Sequence, residues 1–413
     1  MSPLSAFQLV LSLSLRNLLR NTKRTIITGA AVVAGTAVLI LGDGFVGGLD
    51  ENVIRAQEDA VAGHVILRPE GYPTDGLTWP LDEAVVPSPA LEAALSGPEA
   101  GAVVAVAPRV FASARLIFGA DAVRVRLLGY DPVADPAVFP VADWPIEGAW
   151  PKPGADELVL GAEVASLTGA KPGSTVVIEA RTKPGAINAL SYTVSGVVRS
   201  SNPAIDGLVL LPMAAADALL LTEGARSALS LRLRGRGDAE REAARLSQAG
   251  WVATTAAYEA RDLIAINLIR RRAIGFIVSI LLLIAGLGIA NTIIMSTYER
   301  VREIGTLRAL GMSSGALRGL FLLEGVFLGL GAGLAGALIG GGIVYYYSVH
   351  GIDLSAAAKG QGDFAFSTML YLSFGWSAIG RAITFSLGIS LIASVYPAIR
   401  AASLNPADAV RAD

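Results

Sequence analysis

The chain has 413 residues, 53% of them hydrophobic and only 16% charged, with a net charge of −2, no cysteine and two histidines. Soluble domains usually carry about 25% charged residues, so the deficit points to a membrane protein. The near-neutral balance offers nothing to nucleic acid, and the missing thiols exclude disulfides, thiolate metal sites, cysteine nucleophiles and iron–sulfur chemistry.

Taken in chain order, residues 1–24 read as a cytoplasmic amphipathic segment. Phe7 to Leu19 alternates apolar residues with Ser, Arg16 and Asn17, which fits either a short helix in the interface or an extension of the first span. A membrane helix needs roughly 20 apolar residues, and residues 25–49 supply them in a run too long for a signal-peptide core. Residues 50–272 carry short β-type runs, among them His64–Leu67, Val103–Val106, Val123–Leu128 and Tyr192–Val198, punctuated by Gly and Pro. Helical patterns over Ala214–Leu221 and Ala239–Ala249 make this stretch an α+β domain.

Apolar runs return at 273–297, 319–345 and 376–397, separated by segments 298–318 and 346–375 and followed by a tail at 398–413. The fold class that results is an integral membrane protein with four transmembrane α-helices. A large α+β extracytoplasmic domain is inserted between the first and second. Orientation comes from loop charge. Arg16, Arg20, Lys23 and Arg24 precede the first span, and Arg300, Arg302, Arg308 and Arg318 lie between the second and third. Both segments and the tail therefore belong in the cytoplasm, with 50–272 and 346–375 outside. Arg270, Arg271 and Arg272 run against this assignment, although long domains translocate largely regardless of charge.

No spacing in the inserted domain assembles a catalytic site or a metal-ligand cluster. His64, beside Gly63 in a strand pattern, reads as structural. No catalytic residue, metal ligand or cofactor is expected in this chain.

The informative segment is Tyr298-Glu-Arg-Val-Arg-Glu-Ile-Gly-Thr-Leu-Arg-Ala-Leu-Gly311. Val301, Ile304, Leu307 and Leu310 recur every third residue and form an apolar stripe, Glu299, Arg300, Arg302, Glu303 and Arg308 take the other faces, and Gly311 ends the pattern. Periodicity alone describes a helix resting in the headgroup layer. Its wording, together with Arg16-Asn-Leu-Leu-Arg-Asn-Thr-Lys-Arg-Thr25 and Tyr396-Pro-Ala-Ile-Arg-Ala-Ala-Ser-Leu-Asn-Pro-Ala-Asp-Ala-Val-Arg411, resembles the FtsX/MacB-like ABC transporter permease superfamily. Within it, Ala62-Gly-His-Val-Ile66 and Leu160-Gly-Ala-Glu-Val-Ala-Ser-Leu-Thr-Gly-Ala-Lys-Pro-Gly173 look most like the lipoprotein-releasing, Lol-type permeases.

The resemblance implies a non-catalytic subunit of the bacterial inner membrane. No Walker A motif occurs in the chain, so ATP and Mg would be bound by a separate P-loop ATPase present in two copies. Helix 299–311 would couple to that ATPase through Glu299, Arg300, Val301, Arg302, Glu303, Ile304, Gly305, Leu307, Arg308 and Gly311. Val301, Ile304 and Leu307 would fill its groove and Arg300, Arg302 and Arg308 would meet its acids. An acylated lipoprotein is the implied cargo, with membrane lipid and a periplasmic carrier or adaptor as further partners. Ile40, Phe45, Leu49, Ile266, Phe276 and Ile277 are candidate lining for a substrate cavity, with Arg270 and Arg271 facing headgroups or solvent. Gly325, Gly329, Gly333, Ala337 and Gly341 form a small-residue stripe that lets another helix approach, from this chain, a second copy or a related permease. A MacB-like efflux permease with a periplasmic adaptor, or an FtsX-like regulator of a cell-wall hydrolase, are the alternatives.

Overall fold

Alternating apolar residues give the inserted domain its sheet, and their spacing decides which face is wet. The structure, a computed structural model, describes residues 11–17, 20, 22–73, 79–96, 101–199, 203–247, 250–353 and 369–403. It divides into two units: one holds Met1–Asp50, Ile266–Ile352 and Leu370–Asp413, the other Glu51–Ala265 and Asp353–Met369.

The second unit carries ten strands in one sheet: β1 (Val65–Pro69), β2 (Val103–Phe118), β3 (Asp121–Tyr130), β4 (Ile146–Gly148), β5 (Glu157–Gly161), β6 (Thr175–Arg181), β7 (Ile187–Val198), β8 (Leu208–Pro212), β9 (Ala228–Leu233) and β10 (Trp251–Thr255). Six of them close on themselves. β2 pairs with β3, β3 with β8, β8 with β5, β5 with β7, β7 with β6, and β6 returns to β2. This small barrel is filled rather than hollow, as a six-stranded ring must be. Val110, Ala112, Ala114 and Leu116 of β2 meet Leu127, Leu158, Leu160, Ile178, Val194 and Val209 in one buried cluster.

The sixteen-residue β2 then serves a second core. Its first half pairs with β9, which pairs with β1, which pairs with β10. Helices Pro89–Leu95 and Ala239–Leu246 bury Leu91, Leu95 and Leu246 against Val65, Leu67, Leu231 and Trp251. β5 and β8 escape the sequence patterning because ELVLG and LVLLP are buried on both faces and do not alternate.

Arg109, Asp135 and His64 are among the polar residues locked into this unit. The fully buried Arg109 pairs with Asp135 at 2.8 Å and lies over the Phe139 ring at 4.1 Å. His64 follows Gly63, whose φ of +63° and contact with the Leu231 backbone exclude a side chain. The His64 Nδ1 accepts the Leu233 N–H at 3.1 Å. Burial, then the nearby Arg232 and Arg236, push its pKa below the ordinary 6.5.

The first unit is a bundle built from α1 (Thr22–Gln57), α2 (Arg261–Glu299), α4 (Ser314–His350) and α5 (Trp376–Ala402), with the short α3 (Val301–Ala309) between α2 and α4. Among the described residues four helices are long and apolar enough to cross a membrane. The helices outrun the expected spans. α2 starts twelve residues before the expected 273, so Arg270, Arg271 and Arg272 lie inside a continuous helix.

Glycine fixes how the bundle packs. Gly325, Gly329 and Gly333 of α4 lie against Ser394, Ser390 and Ser386 of α5, and Gly341 against Ile379. The Ser386 hydroxyl donates to the Gly329 carbonyl at 3.2 Å. The partner of the predicted stripe is therefore a helix of the same chain. Ala337 packs in a separate cluster with Ile40, Val344 and Ala382. A second glycine face, Gly336 and Gly340, meets Val33, Thr36 and Ala37 of α1. Near the end of α4 and the start of α5, Tyr345, Phe374 and Trp376 stack edge to face, the aromatic belt expected at a membrane interface.

Candidate functional site at the short helix between α2 and α4

The segment singled out in the sequence is two pieces. Glu299 is the last residue of α2, Arg300 breaks the helix at φ −120°, and α3 begins at Val301. Gly311, at φ +95°, ends the turn beyond it, and Ser313 caps α4 by accepting the Ala316 N–H. A glycine is needed at Gly311 because the chain reverses there through a left-handed conformation.

The faces of α3 are not distributed as expected. Ile304 and Gly305 are buried, and Ile304 packs with Leu317, Leu320, Phe321, Ala398 and Ala401 of the same bundle. A nine-residue helix tethered at both ends satisfies its own apolar side first; Ile304 is not available to a partner. Arg300 is also turned inward, 5% exposed, donating to the Asn17 carbonyl at 3.5 Å. Arg308 donates to the Ala402 carbonyl at 2.7 Å and thereby ties α3 to the end of α5. Glu303 pairs with Arg20 at 3.0 Å. The exposed face carries Arg302, Thr306, Ala309 and Leu310, and Leu310 is 81% exposed.

Two residues complete this corner that the sequence did not show to meet, Glu324 reading as an interfacial acid. Asn17 donates through its side chain to Glu324 of α4 at 2.7 Å while its carbonyl receives Arg300. Glu324 is 5% exposed. An acid inside an apolar span calls for a buried partner, and that is the signal that could have found the pairing. The result is a polar clamp joining the segment before α1, the α2/α3 break and α4.

The proposed cavity residues do not converge. Ile40 is 2% exposed inside the α1/α4/α5 core, whereas Phe276 and Ile277 are 68% and 57% exposed on α2 and Phe45 is 39% exposed on α1. Leu49 is half-buried, and the side chain of Ile266 lies outside the described residues. Ile40 is excluded from such a cavity by its own packing. Arg270 and Arg271 are held by their own chain: Arg271 reaches Asp50 at 3.2 Å and Asp43 at 3.8 Å, and Arg270 donates to Asn267, which donates to Asp50. Residues 404–411 of the C-terminal motif also lie outside the described residues.

The family profile described as MacB-like periplasmic core domain matches residues 25–249, and that described as FtsX-like permease C-terminal matches 275–406. The chain belongs to the FtsX/MacB-like ABC transporter permeases. Among curated members of this permease family, the lipoprotein-releasing system transmembrane protein LolC of Neisseria meningitidis is 24% identical over 330 residues, 75% of this chain and 78% of that protein. The ABC transporter permease YknZ of Bacillus subtilis is 35% identical over 138 residues, 33% of this chain and 30% of that protein. The periplasmic region of MacB from Actinobacillus actinomycetemcomitans superposes on 48% of this permease and 91% of that structure, at 13% identity and a TM-score of 0.34.

Proposed function

We propose that this permease releases acylated lipoproteins from the bacterial inner membrane, driven by a separate P-loop ATPase that docks on the outward face of α3. The observation that carries the reading is the construction of α3: a short helix clamped by Arg300 and Arg308 to its own bundle, with Arg302 and Leu310 left pointing outward. A push on that face is delivered into α2, α4 and α5 together, because the clamp leaves little slack. Arg302 would meet acids of the ATPase, and Leu310 would take the role the sequence had given to Ile304. ATP and Mg would sit in the partner, and two permease halves would stand over two ATPase copies.

Orientation follows from charge. Arg16, Arg20 and Lys23, the α2–α4 connection and the end of α5 meet at one end of the bundle. That end is cytoplasmic by the positive-inside rule, which puts the barrel domain outside. Lipoprotein cargo is supported by the relative LolC, which matches over most of its length. The energetics agree: each buried CH₂ contributes about 0.8 kcal/mol, so an acylated protein leaves the bilayer only when work is done on it.

The test is a mild-detergent pull-down of tagged full-length chain from its host, with mass spectrometry of what is retained, comparing wild type with Arg302→Glu/Leu310→Glu. Wild type should retain a P-loop ATPase and the variant about tenfold less. Acylated proteins in the eluate support lipoprotein release; a periplasmic adaptor alone points to efflux, and a cell-wall hydrolase to a regulator. Failure of wild type to hold any ATPase overturns the coupling assignment.

A further inference from the structure

α2 and α5 touch where Gly286 meets Ile389 and separate toward the α2 N-terminus, leaving a crevice floored by α1. It has a volume of about 620 Å³ and is lined by Leu39, Gly42, Ile274, Ser279 and Phe385 below, with Asp43, Arg271 and Arg381 at its mouth. A groove of about 540 Å³ continues from Arg381 and Phe385 along α5 to Ile392, a run of about 16 Å at 1.5 Å per residue.

We propose that this crevice binds one phospholipid with an anionic headgroup, its phosphate held by Arg381 and Arg271 and an acyl chain laid along α5. Three observations carry the site. The charges lie at one level: Arg381 is five residues inside α5 from Trp376 of the aromatic belt, and it pairs with Asp43 of α1 at 2.9 Å. The balance at the mouth is positive, because two guanidiniums, Arg271 and Arg381, line it against one carboxylate, Asp43. Asp43 is divided between two guanidiniums, and the Arg381 side chain remains 60% exposed. Below the charges the walls are apolar and lead away from them, which matches a headgroup with a tail and not a free anion. The site is independent of the transport reading, requiring only that the bundle is in a membrane.

The experiment uses purified full-length chain, delipidated and then supplied with equimolar phosphatidylglycerol and phosphatidylcholine, with retained lipid counted by native mass spectrometry. Wild type should keep one phosphatidylglycerol, preferred about fivefold or more. Arg381→Leu should lose about fivefold of that retention, the weight of one arginine at an anionic surface. Gly275→Leu fills the crevice and should exclude both lipids; a Cβ there meets nothing within 4 Å, so this variant folds even where Arg381→Leu does not. Arg272→Leu removes a charge that does not line the crevice and should behave as wild type. Equal retention of both lipids by wild type, unchanged retention in Gly275→Leu, or a loss in Arg272→Leu as large as in Arg381→Leu would each overturn the site.

Discussion

The barrel core and the helix bundle are held together by opposite means. In the barrel, Leu116, Leu127, Leu158 and Ile178 are fully buried, and the drive is removal of apolar area from water, about 25 cal/mol per Å². In the bundle, large residues such as Leu283, Leu287 and Ile392 are 61%, 64% and 73% exposed on the outside, while the contact between α4 and α5 is glycine against serine. Lipid tails are as apolar as leucine, so burying leucine between helices gains little there. Close backbone approach and hydrogen bonds to carbonyls do the work. Size is selected upward in one core and downward in the other.

The largest effect should come from breaking the most deeply buried ion pair among the described residues of the barrel domain. Asp135→Ala strands the Arg109 guanidinium, and loss of one partner of a buried pair costs about 3–5 kcal/mol. Thermal melting should show the barrel domain destabilised, with Arg109→Met/Asp135→Leu recovering most of the loss; a single variant as stable as wild type would sink this account. Gly329→Leu tests the opposite core. A Cβ at that position lies 2.5 Å from Ser390, and overpacking of this kind costs about 1–3 kcal/mol. Unfolding in a denaturing detergent should report the bundle weakened while the barrel melt stays put.

The smallest effect concerns pH and separates the cores most cleanly. The His64 ring must be unprotonated at Nδ1 to accept the Leu233 N–H, and its pKa is lowered in the folded state. As pH falls below about 6.5 the unfolded chain takes up protons that the folded domain refuses, so stability drops. His64→Asn, which keeps an acceptor without the titration, should flatten the dependence of the barrel melt between pH 7 and 5. A slope unchanged in that variant would assign the effect to another group.

The two cores also differ in how much of them could be read from sequence. Short β-type runs marked β1, β2, β3 and β7, and in β7 one face is wetter than the other. β5 and β8 gave no such signal, and with them closure of the barrel was hidden. In the bundle, the glycine stripe announced that something approaches α4 but not what. The serines of α5 at the same four-residue spacing, Ser386, Ser390 and Ser394, held the answer. For α3 the apolar stripe was legible, yet its direction was not: periodicity says which residues share a face, while the tethers at both ends decide that Ile304 turns toward its own chain. Asp43 and Arg381 are two charges in apolar runs, and only the register of α1 against α5 makes them a pair.

The pairing of β1 with β10 sets Val65 opposite Thr255, the first strand of the inserted domain beside the last. β3 likewise waits for β8, with Arg126 opposite Leu208. A chain made from its N-terminus therefore cannot close the barrel until β8 is made, and cannot complete the second core until β10, at Trp251–Thr255, a few residues before α2 begins. Contacts so far apart in sequence fold slowly, and until they form, β1 lacks both of its neighbours and β3 has only β2. For this protein the vulnerable period is its own biosynthesis: folding of the domain and insertion of the second membrane helix fall due at almost the same moment.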